Sequence, residues 1–118
     1  MSKVVNIRCS ELKKMGYKSF QDWNSYPQNL YIGRTNSYLQ VPSSIFANPY
    51  KIYNSDRETV LKQYENYIRN SPHLMSKIYE LDKKTLGCYC APQKCHGDVL
   101  IKILNELVSK IWHLPDLF

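Results

Sequence analysis

No stretch of this chain approaches the roughly 20 consecutive apolar residues that a membrane-spanning helix requires. The opening residues Met1-Ser2-Lys3-Val4-Val5-Asn6 contain no apolar segment of the length a signal peptide uses. Lysines and arginines never run to five in a row, so a polybasic tail is excluded. There is no internal repeat and no low-complexity segment, which excludes a solenoid and a linker-joined pair of domains. Residues 1–118 are therefore expected to form a single domain. Of the four cysteines, three crowd into residues 88–95 beside a histidine, which is the spacing of a site rather than of a disulfide scaffold. A reducing, intracellular setting with no membrane partner is the expectation.

What is present describes a globular protein, with 43% hydrophobic and 22% charged residues. Ten tyrosines, two tryptophans and three phenylalanines make it rich in aromatics. The formal charge of +6 favours phosphate-bearing partners, whether nucleotide, nucleic acid or lipid headgroup.

Lys3–Ile7 is short and β-branched and reads as a first strand. Ser10 is placed to cap a short helix over Glu11–Met15, with Gly16 as its stop. Gln21–Asn29 carries Pro27 and several Asn and Ser residues, and is expected to be irregular. Leu30-Tyr31-Ile32 makes a second strand, and residues 34–50 a long loop with two prolines and no helical period. Ser55 or Asp56 then caps a helix whose Val60, Leu61, Tyr64, Tyr67 and Ile68 share one face. Pro72 suits the first turn of another helix through Leu81. Lys84–Tyr89 reads as the third strand. A final helix starts near His96, with Val99, Leu100, Ile103, Leu104, Leu107, Val108 and Ile111 as a broad apolar stripe. The tail His113–Phe118 packs back on the core or mediates self-association. Strands alternating with helices predict a small α/β domain of two or three layers, with a mostly parallel, Rossmann-like sheet.

The chemistry concentrates at Cys88-Tyr89-Cys90 and Cys95-His96-Gly97-Asp98. Alternation along a strand puts Cys88 and Cys90 on one side and Tyr89 on the other. The chain turns through Ala91-Pro92-Gln93-Lys94 into the final helix. Its first turn presents free N–H groups and a positive dipole end, which favour anions and lower a thiol's pKa. Three readings follow. Cys95 or Cys90 is a reactive thiolate, with His96 as acid or base and Asp98 as the carboxylate that orients it. Alternatively Cys88, Cys90, Cys95 and His96 bind zinc, although C-x-C-x4-C-H is tighter than the usual paired knuckles. Thirdly, the cysteines are small buried hydrophobes.

A second surface is Tyr31-Ile32-Gly33-Arg34 and the loop ending Phe46-Ala47-Asn48-Pro49-Tyr50-Lys51. Gly33 would let a ligand approach the backbone, and Arg34 could fork onto a phosphate or carboxylate. Asn48, held extended before Pro49, would present its amide to a base or ribose. Arg57 stands in a first helical turn, where a cation is unfavourable, and so has another use for its charge. Tyr64 and Tyr67 belong to the apolar stripe and are expected in the core.

Taken in order, Tyr31-Ile32-Gly33-Arg34, Asn48-Pro49-Tyr50, Arg57, Leu86-Gly87-Cys88-Tyr89-Cys90 and Cys95-His96-Gly97-Asp98 resemble the signature of a domain-of-unknown-function family of phages, bacteria and large DNA viruses. The resemblance runs from about Val4 to Leu107. It departs in Thr35–Ala47, which has few charges where relatives often carry a glycine-rich or basic segment. The strand-to-Cys-His-helix element is also similar to that of another uncharacterised α/β family ending Cys-His-Arg; here Gly97 follows His96. The resemblance implies that these positions form one site, and it implies no reaction.

The functional expectation is a cleft for a nucleotide, nucleobase or nucleic-acid end. One wall is Gly33, Arg34, Asn48, Pro49 and Arg57, and the other Cys88, Cys90, Cys95, His96 and Asp98. In an enzyme, Cys95, His96 and Asp98 would be catalytic, and no cofactor would be required. The alternative is a zinc-binding, non-catalytic interaction module, and a third class is an oligomerising structural protein.

Overall fold

The computed structural model describes residues 2–50, 56–91 and 93–112, with the side chains of Ile111 and Trp112 set aside. Three strands, β1 (Lys3–Asn6), β2 (Asn29–Tyr31) and β3 (Thr85–Cys88), form one parallel sheet in the order β1-β3-β2. Parallel strands need crossovers. The first is made by helices α1 (Cys9–Lys14) and α2 (Phe20–Asn24), the second by α3 (Arg57–Arg69) and α4 (Pro72–Lys77). Helix α5 (His96–Trp112) follows β3.

Strand alternation sends successive side chains to opposite faces, and each face is covered. Val5, Ile7 and Tyr31 pack with Leu12 of α1 and with Phe20 and Trp23 of α2. Val4, Leu30, Ile32, Leu86 and Cys88 pack with α3, α4 and α5 through Tyr64, Ile68, Leu74, Leu100, Ile103 and Leu104. The result is three layers with β3 at the centre. Outside the core, Arg69 ties α3 to α5, meeting Glu65 and Glu106 at 2.8 Å each.

Most expected elements are present within a residue or two. Gln21–Asn29 is not irregular throughout, because Ser19 accepts a hydrogen bond from the Asp22 N–H and caps α2. Helix α1 starts at Cys9 after Arg8, so Ser10 is inside it rather than its cap. The helix from Pro72 ends at Lys77, and Ile78–Leu81 tighten into a 3-10 turn that buries Ile78 and Leu81. Asp56 caps α3 by accepting from the Thr59 N–H; Ser55, the other candidate cap, lies outside the described residues, as do Lys51, Pro92 and the tail 113–118. Tyr67, expected in the core, is 38% exposed on the rim of the α3 stripe. Among the described residues no helix is long and apolar enough to cross a membrane.

Candidate functional site

The site lies beyond the carboxyl ends of β2 and β3, where open parallel sheets place ligands. A cavity of about 440 Å³ is lined by Tyr31, Gly33, Arg34, Asn36, Asn48 and Tyr50 on one side. Cys88, Tyr89, Cys90 and His96 line the other. Both expected walls thus contribute to one cavity. Pro49, Arg57, Cys95 and Asp98 do not line it, and the last three are engaged elsewhere.

Asp98 was expected to orient the imidazole. Instead its Oδ2 accepts from the Cys95 N–H at 2.9 Å, while the Cys95 sulfur accepts from the Gly97 N–H at 3.3 Å. Asp98 thus closes the carboxylate half of a capping box, and the Cys95 sulfur, standing in for the hydroxyl of serine, takes the N–H of the second helical residue. Gly97 completes the element by allowing α5 to approach the sheet. A Cβ there would meet Val4 Cγ2 at 2.8 Å and Ile32 Cδ1 at 3.0 Å. The Cys-His-Gly-Asp sequence is therefore first a means of starting a buried helix against a strand.

His96 reaches back across the sheet end, its Nε2 lying 2.7 Å from the Ile32 carbonyl oxygen. A carbonyl only accepts, so Nε2 carries the proton and, in the neutral ring, Nδ1 keeps a lone pair. Burial lowers the His96 pKa, while the bond to Ile32 opposes that shift. The ring also packs edge-on against Tyr64 at 5.2 Å. The buried Tyr64 hydroxyl donates to the Phe46 carbonyl at 2.6 Å, anchoring the long loop to α3.

Cys88 and Cys95 are buried with their sulfurs 3.2 Å apart, and Cys90 is half-buried beside them. Thiol hydrogen bonds from Cys88 and Cys95, assisted by the Arg57 guanidinium, draw the Cys90 pKa far below the usual thiol range. Hydrogen bonding with Cys88 and Cys90, with burial added, pushes Cys95 up. His96 is turned to Ile32 rather than into this cluster. Among the described residues no three His, Cys, Asp or Glu side chains are placed to hold a metal ion.

The arginines also depart from expectation. Arg34 Nε and Nη2 donate to the carbonyls of Asn48 and Tyr50 at 2.7 and 2.8 Å, closing the loop rather than waiting for an anion. Arg57 crosses to the cysteine loop and donates to Lys94 O at 2.7 Å and Gln93 Oε1 at 2.9 Å. The space a side chain at 33 would need is taken by the Tyr31 ring, whose hydroxyl donates to Arg34 O at 2.6 Å, so only glycine leaves both the ring and the cavity edge in place. Asn48 Oδ1 accepts from the Tyr50 N–H at 2.9 Å, which leaves its Nδ2 group as the donor it can offer.

Residues that the sequence did not single out complete the site. Asn6, opposite Cys88 across the β1–β3 ladder, donates to Ala91 O at 2.8 Å and fixes the cysteine loop from the other side. Tyr89, expected on the side away from the cysteines, lines the cavity with them, because β3 ends at Cys88 and strand alternation stops there, and it accepts from Asn36 Nδ2 at 3.4 Å. The available signal was an asparagine ending the first parallel strand.

Fold and site together define a small parallel α/β domain whose central strand runs through a cysteine loop into a capped, buried helix. The chain belongs to the family described as domain of unknown function DUF4326, which matches residues 16–106. It is similar to an uncharacterized protein of Acanthamoeba polyphaga mimivirus, R718, at 38% identity over 101 residues, covering 74% of this chain and 75% of that one. An uncharacterized 12.4 kDa protein of Enterobacteria phage T4, from the nrdA-td intergenic region, is 30% identical over 60 residues, which is 51% of this chain and 56% of the phage protein. No solved structure matches the chain.

Proposed function

We propose that the protein binds a nucleotide or nucleobase in the cavity at the carboxyl end of a Rossmann-like sheet. The observation that carries this reading is the convergence of two segments far apart in sequence, Tyr31–Tyr50 and Cys88–His96, on one cavity of about 440 Å³. That size suits a base with its sugar. Tyr31, Tyr50 and Tyr89 offer apolar ring surface, while Asn36, Asn48 and His96 offer the few polar groups that fix a heterocycle. With Arg34 and Arg57 engaged on carbonyls, aromatic and amide contacts carry the recognition and the net charge of +6 contributes attraction.

Backbone amide shifts recorded by NMR during titration with free bases, nucleosides, nucleoside monophosphates and inorganic phosphate test the reading. Shifts confined to residues 31–36, 48–50, 88–90 and 96, with a Kd below about 1 mM for a nucleoside or its monophosphate, support it. No localised shift with any of the four classes overturns it. Native mass spectrometry before and after chelation tests the zinc-module alternative separately, since stoichiometric zinc lost together with the fold would favour that class.

A further inference from the structure

The ligand reading leaves the thiol cluster without a task. Cys88 and Cys95 are only 3% and 2% exposed, so neither meets a bulky reagent first. Cys90 differs from both. It lines the 440 Å³ cavity and also a second one of about 850 Å³ on the β1 side, formed with Asn6, Arg8, Tyr89 and Gln93. The 89–91 segment is thus a partition reached from either side, with Cys90 in it. It packs against the buried cluster that holds two further sulfurs, 3.2 Å from one another. Arg57 is pinned to Lys94 O and Gln93 Oε1, which holds a permanent cation at the same loop. An accessible sulfur, a cation beside it and buried thiols behind it are the parts that disulfide exchange requires.

We propose that these residues form a thiol–disulfide exchange centre, with Cys90 as the attacking sulfur and one of Cys88 and Cys95 as the resolving thiol, acting on small organic disulfides. The Cys90 thiolate attacks one sulfur of R–S–S–R. A bond forms from the Cys90 sulfur to that sulfur, the substrate's S–S bond breaks while both of its carbon–sulfur bonds are kept, and one R–S⁻ leaves with the electron pair. A Cys90–S–S–R mixed disulfide remains. The resolving thiol then attacks the Cys90 sulfur, its proton passing to the second R–S⁻ as that group departs. The protein ends with one internal disulfide, oxidised by two electrons, and the substrate ends as one thiolate and one thiol. An external thiol or dithiol reductant returns the centre to its starting state. Histidine is not needed, which agrees with the engagement of His96 Nε2 on Ile32.

The test uses the reduced full-length chain with Cys9→Ser, because Cys9 is exposed on α1 and would react on its own account. The probe is 5,5′-dithiobis(2-nitrobenzoate), whose released thiolate is coloured, at a pH of about 6, where an ordinary thiol with a pKa near 8.5 reacts slowly. Fast release of two thiolates per chain, no retained nitrobenzoate and a peptide map joining Cys90 to Cys88 or Cys95 support the proposal. Adding Cys90→Ser should slow the fast phase by about tenfold or more, the thiolate being the nucleophile. Should that variant fail to fold, sub-stoichiometric reagent on the Cys9→Ser chain, followed by peptide mapping, shows which sulfur reacts first. A nitrobenzoate adduct that persists on Cys90, a fast phase that survives its removal, or first reaction elsewhere overturns the proposal.

Discussion

Arg57 Nη1 lies 2.7 Å from the carbonyl oxygen of Lys94, so the first turn of one helix holds the loop that feeds the start of another. Position 57 is a poor place for a cation on helix-dipole grounds, and the contact to the cysteine loop accounts for it. Arg57→Ala should loosen residues 89–95. Net hydrogen-bond values place the loss at about 1 kcal/mol, reduced by solvent at this half-exposed position. Urea denaturation measures it, and amide hydrogen exchange should quicken in the cysteine loop before it does in the sheet.

Tyr64→Phe removes the donor to the Phe46 carbonyl, with almost no change of volume. A buried acceptor left without a partner costs about 1–3 kcal/mol, so a clear fall in the urea midpoint is expected. Because that bond moors the 34–50 loop, the proposed nucleotide binding should weaken along with stability. Unchanged stability would mean that the loop is held by other contacts.

Asp98→Ala separates a capping role from a catalytic one. As a cap on α5 it should cost about 1 kcal/mol of stability. The His96 titration, followed by NMR of its ring protons, should fall only slightly, because Asp98 bonds to the Cys95 N–H and raises the imidazole pKa only through its charge, the least of the influences on it. A large shift of that titration would restore the orienting role that the sequence suggested.

The His96 pKa is lowered by burial, so the unfolded chain binds a proton more readily than the folded one. Above the unfolded value of about 6.5 the ring is neutral in both states and stability is complete. As the pH falls below that value stability declines, and the decline ends once the pH passes the lower folded pKa. Thermal melts between pH of about 7 and 5 should show this slope. His96→Gln should flatten it, whatever its effect on the absolute melting temperature.

Much of this architecture could be read from the residues themselves. The three strands, the helices at Arg57–Arg69 and His96–Trp112 and the convergence of the two walls follow from β-branched runs, helical spacing and strand-end chemistry. Helix α2 was hidden because Pro27 and the nearby Asn and Ser residues suggest a loop. The Ser19 cap and the burial of Phe20 and Trp23 outweigh that local signal. The partners of polar side chains were the least accessible. An arginine's identity says that it will find an oxygen, but whether that oxygen belongs to a ligand or to the chain depends on loops meeting in space. Arg34, Arg57 and Asp98 all found backbone. Asn6 was overlooked because its value arises only from lying opposite Cys88.

The strand order carries a consequence for how the molecule comes into being. Among the described residues both β1 and β2 pair only with β3, so Lys3 and Asn29 alike wait for Thr85 before the sheet can begin to close. During synthesis the first two strands have no partner until the late segment has left the ribosome. Closing so long a loop is entropically costly, and it places the protein among slow, topology-limited folders for its size. The loop with the three thiols follows directly on that last strand. Its chemistry is therefore assembled in the same late event that completes the fold, and a truncated nascent chain would carry neither.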